Sequence, residues 1–239
     1  MSVKHMKIAL SLLAGMVLFG SCQEKKPEVS HREIGSNAAL PYFGEADIEL
    51  VRRDDGAVVA DSVYYTIPKF SLTNQYGRIV SHHDYEDKIF LVDFFFTECP
   101  TICPIMSSQL ARLQAKMFQD GFNKDVMILS FSVKPDNDTP EVLKAYGEHL
   151  GANFTNWNFA TGAADDIYDL AQDGFMLSAF PSDSAEGGIF HTDKITLIDR
   201  QMHIRGYYDG TSTKSMDQLY SDLQILLIEQ PSNVTTSVK

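Results

Sequence analysis

The sequence predicts a three-layer α/β domain with a β-hairpin added at its N-terminal side. Three observations carry this. Ile89 to Phe96 (IFLVDFFF) and Val126 to Val133 (VMILSFSV) are almost wholly apolar, as strands buried on both faces are. A segment of helical character follows each of them, so strand and helix alternate. The chain of 239 residues, 44% hydrophobic and 22% charged, is long enough for one good-sized core.

The elements follow in order. Ile48 to Val51 and Val58 to Ile67 are apolar-rich and flank Asp54-Asp55-Gly56, a hairpin with Gly56 supplying the turn. After the first buried strand, Met106 to Met117 has helical spacing. After the second, Thr139-Pro140-Glu141 opens a helix to about Leu150, with proline in the first turn and Gly151 past the end. Trp157 to Ala160 is a short strand and Asp165 to Gln172 a short helix. Lys194 to Asp199 and His203 to Tyr208 are close enough to pair as a hairpin, and Ser215 to Glu229 is a closing amphipathic helix. There is no internal repeat. A thioredoxin-like fold fits this order.

The N-terminus has its own pattern. Lys4 and Lys7 precede an apolar run from Ile8 to Phe19, and Gly20, Ser21 and Cys22 follow. A basic start, a short apolar run and small residues make a secretory signal. The run falls short of the roughly 20 apolar residues of a membrane span. A cysteine straight after small residues resembles the cleavage site of bacterial lipoproteins, where the new N-terminal cysteine carries the lipid. Phe19 departs from that motif, which usually has leucine there. A cleaved signal with a free Cys22, or an uncleaved anchor, are the other readings. The expected organisation is a signal peptide over 1–21, a lipid anchor at Cys22 with a flexible tether over 22–45, and the folded domain over 46–239. The chain is then exported and membrane-anchored, facing the periplasm. A formal net charge of -12 argues against nucleic acid as a partner, because phosphate binding needs a basic face.

With Cys22 used as an anchor, Cys99 and Cys103 remain, in a compartment where thiols can oxidise. So small a loop removes little chain entropy when closed, which favours reactivity or metal binding over stapling. The segment FTECPTICP, Phe96 to Pro104, lies where a buried strand ends and a helix begins, the edge where α/β sheets place ligands. Pro104 fits best as the first helical residue, which makes Cys103 the cap and exposes it to the positive end of the helix dipole. That argument favours thiolate at Cys103, whereas exposure favours Cys99. The bland reading is a structural disulfide or two buried thiols.

These residues resemble the Sco (SenC) family of cytochrome c oxidase assembly proteins. The likeness runs from about Ile67 onward. IPKFSL with Gln75-Tyr76-Gly77 resembles the family's opening strand and turn, and FTECPTICP its CPxxCP motif. Asp138-Thr139-Pro140-Glu141-Val142-Leu143 with Tyr146 resembles its DTPExL segment. His191-Thr192-Asp193 before Thr196-Leu197-Ile198-Asp199 resembles its histidine and following strand. The resemblance implies a thioredoxin-like domain that binds one copper ion, Cu(I) or Cu(II), through Cys99, Cys103 and His191. Composition alone does not single out His191 from His82, His83, His149 and His203. Gly187-Gly188 suggests a mobile loop that swings the imidazole towards the thiols. Two thiolates and an imidazole suit copper, whereas structural zinc wants a fourth protein ligand. Met106 is one helical turn from Cys103, a spacing at which methionine is more often core. The family often has Asp-Pro where this chain has Lys134-Pro135.

Three functions compete. The first is a metallochaperone that delivers copper to the binuclear copper site of cytochrome c oxidase subunit II or another copper-site protein. The second is a thiol-disulfide oxidoreductase in which Cys99 and Cys103, as a redox-active disulfide, reduce the cysteines of that site. The third is a copper or redox sensor. The peroxiredoxin pattern is absent before Cys99, which argues against a peroxidase.

Overall fold

The computed structural model describes residues 39–52 and 56–229. The signal segment, Cys22 and the tether up to residue 38 lie outside the described residues, as do Arg53 and, from the expected hairpin turn, Asp54 and Asp55. Among the described residues, no helix is long and apolar enough to cross a membrane.

The N-terminal hairpin pairs β1 (Ala46–Arg52) with β2 (Val58–Tyr64) antiparallel, Ala46 opposite Tyr64. It forms a two-stranded sheet of its own. Next come β3 (Ser71–Asn74), β4 (Ile79–Ser81), a 3-10 turn (His82–Tyr85) and β5 (Ile89–Phe95). Then follow α1 (Ile102–Gln119), β6 (Val126–Ser132), α2 (Pro140–Leu150) and β7 (Trp157–Thr161). After α3 (Ala164–Asp169) and a π turn (Leu170–Gly174), β8 (Ala179–Pro181) and β9 (Ile189–His191) pair as a second small sheet. The chain closes with β10 (Lys194–Ile198), β11 (Ile204–Asp209) and α4 (Thr213–Ile228).

The main sheet is mixed, in the order β11-β10-β5-β6-β7-β3-β4. β5, β6 and β7 run parallel, with Phe94 beside Phe131, and β10 lies antiparallel on the other side of β5. Every residue of β5 is buried, so both of its faces are covered. Side chains alternate between those faces. Phe95 meets Tyr146 of α2 at 5.2 Å, and Ser107 of α1 hydrogen-bonds Tyr146 at 2.8 Å. α4 joins the same layer through Arg112–Asp217 at 2.9 Å. On the opposite face Phe94 meets Phe175, after the π turn, at 5.6 Å, and Phe131 meets Phe70 at 5.6 Å. Those are the three layers read from the sequence.

Local signals act as expected in α2. The Thr139 hydroxyl accepts from the Val142 N–H, Pro140 takes the first helical position, and Gly151 ends the helix at φ 71°. The folded domain begins earlier than residue 46, however. Leu40 is buried, Arg205 donates to the carbonyls of Leu40 and Pro41 at 2.8 and 3.1 Å, and Tyr42 stacks on Tyr64 at 3.8 Å. The last residues of the expected tether are therefore packed on the domain, because their apolar side chains find partners there.

Candidate metal centre

The chain leaves β5 at Phe95, and the Cys99 N–H folds back to the Phe96 carbonyl at 3.3 Å. A buried carboxylate holds this bend. Asp138 accepts from the Thr97 N–H at 3.1 Å, from the Thr97 hydroxyl at 2.5 Å and from the Ser132 hydroxyl at 2.5 Å. It thereby ties the end of β6 to the loop that carries the first thiol. Asp138 stood in the DTPE segment without a role; its position just ahead of a helix cap was the only signal.

The helix does not start where the proline suggested. Thr101 is the N-cap, Ile102 and Cys103 are the first helical residues, and Pro104 is the third. A proline there costs nothing, since none of the first four N–H groups has a partner within the helix. The thiol chemistry shifts with it. Burial pushes the Cys99 thiol up, but the backbone N–H groups of Cys103 and Thr101 outweigh it, with help from Cys103 and the Thr101 hydroxyl, 3.8 Å away. The net result lies below the ordinary thiol value. Cys103 is held well above it by burial, although a backbone hydrogen bond at Phe96 opposes this, and neighbouring Cys99 and Asp93 add to the rise. The expectation of a thiolate at Cys103 is thus corrected. The helix start does favour an anionic sulfur, but the sulfur it serves is Cys99.

His191 ends β9. Its Nδ1 lies 3.1 Å from the Thr192 carbonyl, which can only accept, so Nδ1 carries the proton. Nε2 keeps its lone pair and faces Cys103 Sγ at 3.4 Å, where the thiol donates. Burial pushes the imidazole pKa down, against the raising influence of the Thr192 and Phe94 carbonyls and Asp193. The ring stands edge-on to Phe96, with centroids 5.6 Å apart. Gly187, in the turn between β8 and β9, packs so close to Phe96 that a Cβ there would meet the ring at 2.6 Å, and its φ is +74°. The expected swinging loop is a tight turn that already sets the imidazole against the thiols.

Cys99, Cys103 and His191 are all buried, and one donor atom from each lies within 4.8 Å of the others. Both cysteines are free thiols. The other histidines among the described residues go elsewhere. His203 is buried against Asp199, His149 is exposed near the end of α2, and His82 and His83 share a turn with Glu86. Met106 is fully buried with its Cγ facing Gly210, as a core residue. Lys134 donates to Glu98 at 2.9 Å and stands 5.7 Å from the Phe96 ring centre, beside the loop that bears Cys99. Asp93, the single charge in IFLVDFFF, accepts from Ser130 but leaves its other oxygen buried without a partner. Burial raises its pKa to about 7, the Ser130 hydrogen bond opposing. A lone acid in an apolar strand was its signal.

The SCO1/SenC family profile matches residues 60–227. A SCO1/SenC family lipoprotein from Bacillus anthracis is 32% identical, with a TM-score of 0.64 over 68% of this chain and 95% of its own. BsSco, described as a member of the Sco family of cytochrome c oxidase assembly proteins with a disulfide switch, is 31% identical, with a TM-score of 0.61 over 70% of this chain and 95% of its own. Bradyrhizobium japonicum ScoI, solved with copper bound, is 22% identical and shares the fold, with a TM-score of 0.57 over 68% of this chain and 99% of its own.

Proposed function

The chain belongs to the SCO1/SenC family, and from that premise we propose that it is a copper carrier of cytochrome c oxidase assembly. Cys99, Cys103 and His191 hold one copper ion as cargo. The ion then passes by ligand exchange to the binuclear copper site of oxidase subunit II.

The observation that carries this reading is the convergence of two thiols and an imidazole nitrogen of His191 within 4.8 Å, with all three residues buried. Soft sulfur with imidazole suits copper in both oxidation states. The Thr192 carbonyl orients the ring as outer partners of metal-bound histidines do. Binding releases the Cys103 proton, so affinity grows with pH. The leader and Cys22 support an exported lipoprotein tethered at the membrane, and one relative is itself a lipoprotein.

A second reading has an observation of its own. The thiols are unequal, Cys99 lowered and Cys103 raised. Such a pair can reduce a partner's disulfide. The Cys99 thiolate attacks one sulfur and forms a mixed disulfide. Cys103 then loses its proton and attacks Cys99, releasing the partner as a dithiol and leaving a Cys99–Cys103 disulfide.

Anaerobic copper competition on the reduced protein, beside its His191→Ala variant, separates the readings. A carrier binds one ion tightly and loses affinity at least tenfold in the variant, while the variant still exchanges disulfides. Equal affinity in both proteins would exclude His191 as a ligand, and no tight binding in either would leave the dithiol reductase.

A further inference from the structure

The 3-10 turn between β4 and β5 gathers a second donor set. His82, His83 and Glu86 each bring one ligand atom within 4.8 Å of the others. This turn precedes β5, whereas the thiols follow it. Seven residues of strand, about 23 Å at ~3.3 Å each, separate the two places along the chain. We propose that His82, His83 and Glu86 form a separate site for a divalent ion of borderline softness, Cu(II) or Zn(II).

The turn is built before any ion arrives. Asp84 accepts from the Ser81 N–H at 2.7 Å and from its hydroxyl at 3.2 Å, a reciprocal cap that sets the backbone and occupies the Asp84 carboxylate. His82 is set by the fold. Its Nδ1 lies 3.2 Å from the Phe70 carbonyl, so Nδ1 carries the proton and the lone pair sits on Nε2. That Nε2 is buried and has no hydrogen-bond partner. A buried nitrogen with a bare lone pair, on a ring held by a backbone carbonyl, is the form in which histidine binds metals. The His83 ring lies beside it, with centroids 3.9 Å apart.

His83 and Glu86 supply the movable side. Nδ1 of His83 donates its proton to Oε1 of Glu86, 2.7 Å away. Tetrahedral bonds of about 2.0–2.1 Å hold ligand atoms about 3.3 Å apart, so the pair opens by about half an ångström when an ion replaces that proton. Both side chains are more than half exposed, which makes the opening easy. Two imidazoles and a carboxylate without thiolate suit Cu(II) and Zn(II), whereas Cu(I) prefers sulfur.

The full chain carrying Cys22→Ser, Cys99→Ser and Cys103→Ser removes competition from the thiols. Titrating it with Cu(II) alone and with Zn(II) alone, by calorimetry and thermal melting, tests the site. The expected result is binding of one ion per chain and a raised Tm. Adding His83→Ala should weaken binding at least tenfold and abolish the Tm rise, and Glu86→Gln should weaken it less. Both changed side chains are exposed, so folding is not at risk. His149→Ala, an exposed imidazole elsewhere, should change nothing. For Cu(II), coupling to two nitrogens in the electron paramagnetic resonance spectrum should drop to one in His83→Ala. Binding by one metal and not the other identifies the ion. No binding of either, or binding that His83→Ala leaves intact, overturns the proposal.

Discussion

At the far end of β10 from the thiols, Asp199 accepts from His203 at 3.3 Å and from Arg205 at 2.9 Å, and Arg205 continues to Glu229 at 3.0 Å. At the thiol end the polar groups are as deeply buried but incompletely matched. His191 has a thiol against Nε2 where His203 has a carboxylate against Nδ1, and Asp93 leaves one oxygen unpartnered. Both ends use a buried histidine and a buried aspartate. The difference teaches that burial does not mark a site by itself. A network whose members satisfy one another supports the fold, and an incomplete one keeps lone pairs available for chemistry.

The sharpest contrast expected is a reciprocal one between the two histidines, because it sets stability against copper affinity. His203→Ala leaves Asp199 short of a partner in the core and should cost about 3 kcal/mol in urea unfolding, with copper affinity unchanged. His191→Ala should cost little stability and most of the copper affinity. If both variants lost copper equally, the division between the two ends would fail.

The two aspartates sharpen the comparison through pH. Burial raises Asp93 from 3.8 to about 7, so between those values the folded state holds a proton that the unfolded state has lost. Stability therefore falls as pH rises across that window. Asp93→Asn should gain up to about 4 kcal/mol at pH 8 and almost nothing near pH 4. Asp199 has the opposite sign. Burial raises its pKa, but His203 and then Arg205 outweigh this and hold it below 3.8. Its contribution is present above that value and is lost as pH falls through the depressed pKa, so Asp199→Asn should destabilise at neutral pH. Urea unfolding of Asp93→Asn across the window from pH 4 to 8, and of Asp199→Asn from neutral pH down to below 3.8, checks the pair of slopes, and slopes of the same sign would refute it.

The smallest effect concerns the turn at β8 and β9. Gly187→Ala combines a positive φ with a collision against Phe96 and should cost about 1–2 kcal/mol, weakening copper less than His191→Ala does. Gly188→Ala, at φ +80° with open space around it, carries only the backbone strain and should leave copper affinity alone. Copper competition on the two variants tests whether Phe96 positions the hairpin.

Much of the fold was legible because its signals are local. The continuous apolar run of β5 required two covered faces, and Thr139-Pro140 with Gly151 bounded α2. The thiol pair was legible from its spacing at a strand-helix junction. His191 was not, because it is 88 residues from Cys103 and no pattern links them except the family resemblance. β8 and β9 escaped notice for a different reason. They are three residues each, and Phe180 and Phe190 face solvent, so neither shows an apolar run. The cap at Cys103 was misplaced because a proline is tolerated anywhere in the first helical turn. Its lowered partner, Cys99, could be identified only once the N–H groups of Thr101 and Cys103 had positions.

The proposed ligand set is divided between two supports. Cys99 and Cys103 sit at the junction of β5 and α1, in the framework of the domain, whereas His191 hangs from a two-stranded ribbon outside the main sheet. A cage assembled in this way has a wall that can be unlatched. With copper held as proposed, an incoming donor would need to displace only His191 to begin, while Cys99 and Cys103 would keep hold of the ion. On the copper-carrier reading, such a centre would combine tight binding with quick exchange, because release would begin at one ligand and not at three.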